Sequence, residues 1–252
     1  MTDTILYERR GEVGQLTLNV PERHNSLGEE QLLGIRDILS GFVGEEAPRV
    51  LVVSGAGDRT FCAGASLKEL NSGRISGELF QETTDRIAAL PMPTLAAING
   101  NVFGGGVELA LSCDFRVGIE GTRLRVPAAA IGLCYPIGGI QRFVERLGVS
   151  ASKRLLMAAE EQDSDAMREL GFLDYVATRE EFASTVQKLA DNLAGLAPLA
   201  ARAMKQLIGQ SALGTLDPAE AEVLVARCRE SADLVEGFAA QREKRTPRFR
   251  GC

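Results

Sequence analysis

The residues most able to do chemistry lie between Asn99 and Asp114, where Gly104, Gly105 and Gly106 stand in a row and Glu108 follows. Glycine has no Cβ, so its backbone can approach a ligand closely. The glycines end an apolar run, Thr94–Ile98, and open a helical pattern, Val107–Leu111. A helix start leaves its first N–H groups unpaired and carries partial positive charge, so negative charge can rest there. Glu108 lies three residues after Gly105, which puts both on one helical face. An amide that stabilises an anion, with a carboxylate one turn away, implies proton chemistry beside an enolate.

A second loop of the same kind is Arg59–Leu70. Ser66-Leu-Lys-Glu69 reads as a capping box, in which Ser66 accepts the Glu69 N–H and the Glu69 carboxylate answers back. A helix is therefore expected from Ser66, with the amides of the Ala63-Gly-Ala65 turn just before it. Ligands of α/β sheets bind at such strand-to-helix turns. Two amides from two turns would suffice to hold one thioester oxygen.

The elements that must position these loops alternate. Residues 5–20 read as a β-hairpin and 49–54 as a buried strand; 94–98 and 115–119 are two more. A helix is expected around 32–42. Strands alternating with helices imply a mostly parallel sheet. After residue 135 helical patterns dominate, near 139–147, 150–159, 164–170, 179–194, 198–210 and 217–245, with one strand candidate at 173–177. The chain divides on this reading into an α/β core, 1–195, and a helical C-terminal part, 196–252.

Composition narrows the classes. The 252 residues carry a net charge of −6, against a nucleic-acid footprint. No apolar run reaches the roughly 20 residues that span a bilayer, and the opening Met-Thr-Asp-Thr-Ile-Leu lacks the pattern of a secretion signal. Five scattered cysteines without a CxxC pair argue against zinc and fit reduced thiols, so a cytoplasmic protein is expected.

Four segments resemble the crotonase (enoyl-CoA hydratase/isomerase) superfamily: Pro21–Leu27, Phe61–Leu67, Ala97–Ala110 and Gly138-Gly-Ile-Gln-Arg142. Their order and spacing cover nearly the whole chain. The resemblance implies an α/β spiral of ββα turns with a helical C-terminal trimerisation region, a homotrimer or dimer of trimers, an acyl-CoA substrate, and no cofactor beyond the coenzyme A of that substrate. It makes the amides of Ala65 and Gly105 an oxyanion hole and Glu108 an acid/base. It places Arg23, His24, Ser26, Ala63, Ser66 and Leu67 against coenzyme A. It matches Lys244 to a lysine that reaches coenzyme A phosphates from a neighbouring subunit; the basic tail, 242–250, reads otherwise as a solvated helix end.

The chain departs from the hydratases of that family at one chemical point. Those enzymes use two glutamates on one water, and the second position falls here on Ala128, with no carboxylate between Glu120 and Glu145. Glu108 would then act alone, or Glu120 would enter the site. Tyr135 matches a tyrosine of the family's methylmalonyl-CoA decarboxylases, where it would orient a departing carboxylate; the plainer reading packs it beneath the site. Three functions stay open: a one-carboxylate hydratase/isomerase-type enzyme, a malonyl-type decarboxylase, and a coenzyme A thioester binder without turnover. His24 reads as a loop side chain near coenzyme A and Cys62 as a small apolar filler.

Overall fold

The computed structural model describes residues 3–252, the Glu45 side chain apart. The first two residues, part of the stretch read for a leader, lie outside the described residues. The expected hairpin is β1 (Ile5–Arg10) with β2 (Val13–Leu18), paired antiparallel. Then β3 (Val50–Gly55), β5 (Thr94–Ile98), β7 (Phe115–Ile119) and β9 (Tyr175–Ala177) add in parallel, giving a six-stranded sheet in the order β1-β2-β3-β5-β7-β9. The strand expected near 173–177 is its last member.

A second sheet had no signature in the sequence. β4 (Thr60–Cys62), β6 (Asn101–Phe103) and β8 (Leu124–Arg125) pair in parallel, in the order β4-β6-β8. Each follows a strand of the large sheet and precedes a helical segment. The chain thus repeats a ββα turn, with one strand given to each sheet. The helices of the first two turns are α2 (Leu67–Asn71) with α3 (Gly77–Ala88), and α4 (Gly105–Leu111). After β8 only a short 3-10 turn, Ala129–Ile131, precedes the next helix. This is the crotonase-type α/β spiral that the resemblance implied.

α1 (Glu29–Ser40) covers the hairpin side of the core, burying Leu32, Ile35 and Leu39. The main core gathers Leu16, Leu18, Phe61, Ile98, Leu109, Phe143 and Phe172 among others, and a smaller cluster packs α7 (Arg179–Ala194) on the far face of the large sheet. α5 (Ile137–Leu156) contains the two helices expected near 139–147 and 150–159, separated at Gly148, whose φ of 77° breaks the helical path. α6 (Ser164–Glu169) and α8 (Pro198–Leu213) fall where helical spacing put them.

Two expectations are corrected. The single helix foreseen over 217–245 is two, α9 (Pro218–Arg229) and α10 (Ala232–Glu243), because Ser231 turns its hydroxyl to the Leu234 N–H and caps a new start. The capping box at Ser66 is half formed. Ser66 Oγ accepts from Glu69 N at 3.4 Å, but the Glu69 carboxylate accepts from Glu29 N at 2.9 Å and so caps α1, while Ser66 N donates to Leu27 O. Glu69 therefore ties two helix starts together across the chain. No described helix is long and apolar enough to cross a membrane.

Candidate active site

The three strands of the small sheet run in parallel, so all their C-terminal turns emerge at one end. Those turns, Ala63–Ala65, Phe103–Gly105 and Val126–Ala128, line a single cavity of about 260 Å³. Leu67, Leu70, Phe80, Ile131, Leu133 and Tyr135 add to a mainly apolar wall, and among the described residues Glu108 is the only carboxylate in it. None of the described lysines or arginines lines it, nor does the histidine.

The first two turns interlock through their glycines. Gly64 has φ +84° and Gly104 φ +51°, both in the region that favours glycine. A Cβ on Gly64 would fall 3.0 Å from Gly105 Cα and 3.0 Å from Gly106 N, so the two backbones touch where any side chain would part them. The register places Cys62 beside Val102, and Ala65 and Gly105 each lie three residues beyond that pair. Among the described residues, neither the Ala65 N–H nor the Gly105 N–H donates a hydrogen bond. Gly105 begins α4, so its amide is one of the unpaired donors of a helix start.

Glu108 sits one turn into α4 and is 2% exposed. Its Oε1 accepts from Thr84 Oγ1 at 3.1 Å and from Arg142 Nη1 at 3.2 Å, and the Tyr135 side chain lies beside the same carboxylate. Burial pushes the Glu108 pKa above the ordinary value, against the pull of Tyr135, Arg142 and Thr84. Burial and the neighbouring Glu108 push the Tyr135 phenol well up, so it stays a proton donor. The Tyr135 ring meets Phe143 edge-on at 5.6 Å, and Gly139 makes room for both groups: a Cβ there would run into the ring and come 2.9 Å from Glu108 Oε2. Tyr135 thus packs under the site and reaches into it.

The remaining expected residues divide. Ala63 and Leu67 line the cavity, although the Ala63 amide is taken by His24 O. Arg23, His24 and Ser26 lie on the neighbouring turn, joined to the Ala63–Ser66 segment by Leu27 N to Gly64 O and Ser66 N to Leu27 O; they do not line the cavity. His24 Nδ1 lies 2.9 Å from Thr60 Oγ1. Ser66 caps α2, and Lys244 is the exposed residue that ends α10. Glu120 is exposed at the end of β7 and does not enter the cavity, and Ala128 presents only its methyl group there. Cys62 is fully buried and its thiol is pushed up to about 12 by burial, which suits a filler and not a nucleophile.

The sequence reading missed Thr84, Asp85 and Phe80, all on α3, and the contact of Arg142 with Glu108. A Ser76 cap followed by Phe80, Thr84 and Ile87 at helical spacing was the available signal. Arg142 lay in the quoted Gly138–Arg142 motif, three residues after Gly139.

The site is an apolar cavity where the strand ends of a ββα spiral converge, with two amides that donate no hydrogen bond and one buried carboxylate. The enoyl-CoA hydratase/isomerase family pattern matches residues 8–251, and the chain belongs to that family. It is 30% identical to a crotonyl-CoA hydratase of Syntrophomonas wolfei over 98% of both chains. Its fold superposes on a crystal structure of an enoyl-CoA hydratase from Bacillus anthracis with a TM-score of 0.90 at 29% identity, covering 99% of this chain and 100% of that one. An enoyl-CoA hydratase/carnithine racemase from Magnetospirillum magneticum gives 0.93 at 27% identity, covering 100% and 97%.

Proposed function

We propose that this chain is an acyl-CoA enzyme that holds a thioester enolate between the Ala65 and Gly105 amides and uses Glu108 as its single acid/base, the reaction best served being double-bond isomerisation. One observation carries this: among the described residues Glu108 is the only carboxylate lining the cavity, and the wall at Ala128 is a methyl group. Neighbouring strands lie about 4.8 Å apart. That is less than twice an N–H···O distance of about 2.9 Å, so one oxygen can accept from two amides level in register. Glu108 removes the Cα proton of a β,γ-unsaturated thioester, the electron pair moves into the carbonyl, and the same proton returns at Cγ. Hydration instead needs one group to deprotonate water and another to protonate Cα; the cavity offers one.

A second reading, decarboxylation of a malonyl-type thioester, draws on Tyr135 and on the absence of any cation in the wall. An apolar cavity desolvates a substrate carboxylate and favours its loss as CO2; the electron pair left on Cα enters the same oxyanion site, and a protonated Glu108 or Tyr135 quenches it. Under either reading Arg23, His24, Ser26, Ala63, Ser66 and Leu67 border the coenzyme A path, and Lys244 of one protomer serves its neighbour in a trimer.

A panel of vinylacetyl-CoA, crotonyl-CoA and methylmalonyl-CoA, read by chromatography and mass spectrometry, tests this. Isomerisation leaves the mass unchanged, hydration adds one water, and decarboxylation removes CO2. Turnover lost in Glu108→Gln with coenzyme A binding kept supports the assignment. Binding without turnover of any thioester leaves a carrier in its place.

A further inference from the structure

Glu108 does not meet bulk water; what it meets is a small polar cluster built by two other helices. Arg142 of α5 donates through Nη1 to Glu108 Oε1 (3.2 Å) and Thr84 Oγ1 (3.0 Å), and through Nη2 to Asp85 Oδ1 (2.5 Å). The side chains of Glu108 and Arg142 are 2% and 11% exposed, whereas that of Asp85 is 51% exposed. The guanidinium is therefore shared between a buried carboxylate and a wetted one. Thr84 Oγ1 has one proton and two acceptors within reach, Gln81 O at 2.9 Å and Glu108 Oε1 at 3.1 Å, so it serves one of them at a time. It can turn toward Glu108 when that group is ionised and away when it is protonated.

We propose that Arg142 is a positioning residue that holds Glu108 in place, and that Asp85, by competing for the same guanidinium, sets how readily Glu108 takes up and gives back a proton. This deepens the assignment of Glu108 as acid/base and rests on it. The groups facing Glu108 are Thr84 and Asp85 from α3, Arg142 from α5 and Tyr135 from the loop before α5, with the Cys62 thiol beside Tyr135. Of these, Arg142 favours the ionised form and Asp85 opposes it. The two substitutions must therefore act in opposite directions. A purely structural tie between α3 and α5 would give two variants that weaken the protein alike and leave the titration of Glu108 unmoved.

The test is an infrared difference titration of the carboxyl stretch, each protein minus the same protein carrying Glu108→Gln, alongside the pH profile of kcat/KM on vinylacetyl-CoA. Arg142→Gln raises the Glu108 midpoint by about one to three units, the span an opposite charge at this distance commands. Asp85→Asn lowers it by less, and Arg142→Lys restores part of the loss. The acidic limb of the rate profile follows each shift. Midpoints that stay still, or that move the same way in both variants, overturn the proposal. If Arg142→Gln does not fold, the downward shift in Asp85→Asn decides alone. Opposed midpoint shifts in a protein that turns over no thioester keep this inference and remove the assigned reaction. A Glu108→Gln protein as active as the native one removes Glu108 as the base.

Discussion

Replacing Gly64 by alanine presses on the point where the two glycine turns meet. The new Cβ would collide with Gly105 N and fall 3.0 Å from both Gly105 Cα and Gly106 N, where an ordinary contact is at least 3.4 Å, so the Gly105 amide must retreat by on the order of 1 Å, or Gly64 must move by as much. Two costs add. Holding alanine at φ +84° costs roughly 1–2 kcal/mol. Forcing a methyl group into packed backbone costs roughly 1–3 kcal/mol more. The sum, roughly 2–5 kcal/mol, is a large part of the total stability of about 5–15 kcal/mol of a native domain. An amide displaced by about 1 Å also loses its aim, and misplacement on that scale costs about 100-fold in rate.

Gly121→Ala separates strain from contact, since Gly121 has φ +77° but a Cβ there meets nothing within 4 Å. Urea unfolding should show Gly64→Ala losing clearly more than Gly121→Ala. Exchange of the α-protons of butyryl-CoA in heavy water, followed by mass spectrometry, reads enolate formation directly. It should fall about 100-fold in Gly64→Ala and stay near native in Gly121→Ala. Equal stability losses in the two variants, with exchange intact in both, would refute the claim that close backbone approach at Gly64 supports an oxyanion site.

Three further outcomes are expected. Glu108 holds its proton more tightly in the folded chain than in the unfolded one, so native stability falls as pH rises from the ordinary carboxyl value of 4.5 through its raised folded pKa. Glu108→Gln should therefore be more stable than the native protein at pH 8 by thermal unfolding, with the advantage fading as pH approaches 4.5; no advantage at pH 8 would contradict the sign. Ala128→Glu puts a second carboxylate into the cavity wall, and the panel should then show water added to crotonyl-CoA at a rate at least tenfold above native, measured as 3-hydroxybutyryl-CoA. Thiol labelling of the native protein at pH 8 should reach exposed Cys134 and Cys252 first, and reach Cys62 and Cys113, both buried and pushed up to about 12, only after denaturation, as peptide mapping would report.

The middle of the large sheet was legible because β3, β5 and β7 are five or six residues long and buried along almost their whole length, so Val50–Val53 and Thr94–Ile98 read as continuous apolar runs. The small sheet was not, because strands of two or three residues carry no alternation and exist only by pairing with one another. α3 hid for a different reason. Half of its buried face is Thr83 and Thr84, whose hydroxyls bond back to Leu79 O and Gln81 O, so a hydrophobic count sees little there. That concealment reached the site itself, since Thr84 and Asp85 went unread while Glu108 and Gly105 stood out through glycine spacing and Ala65 through the family resemblance. The break at Ser231 was invisible to periodicity because no Gly or Pro marks it; a hydroxyl does the work of ending one helix and starting the next.

Parallel pairing explains why chemistry collects where it does. An antiparallel neighbour would have sent its turn to the opposite end of the small sheet, and the amides of Ala65 and Gly105 would lie a strand length apart. Because β4, β6 and β8 all run one way, the first two turns can offer an N–H each at the same level, and the third offers whatever residue follows Pro127. Backbone donors depend on glycine geometry and resist change, since a Cβ at Gly64 or Gly106 collides with main chain. The third turn contributes a side chain, and Ala128 has ordinary helical dihedrals that any residue can adopt. On the proposed reading, enolate stabilisation would rest on the fold, while the fate of the enolate would be set by the side chains around it: one buried glutamate, its Arg142–Asp85 partners, and a methyl group at Ala128 where water chemistry would require an acid.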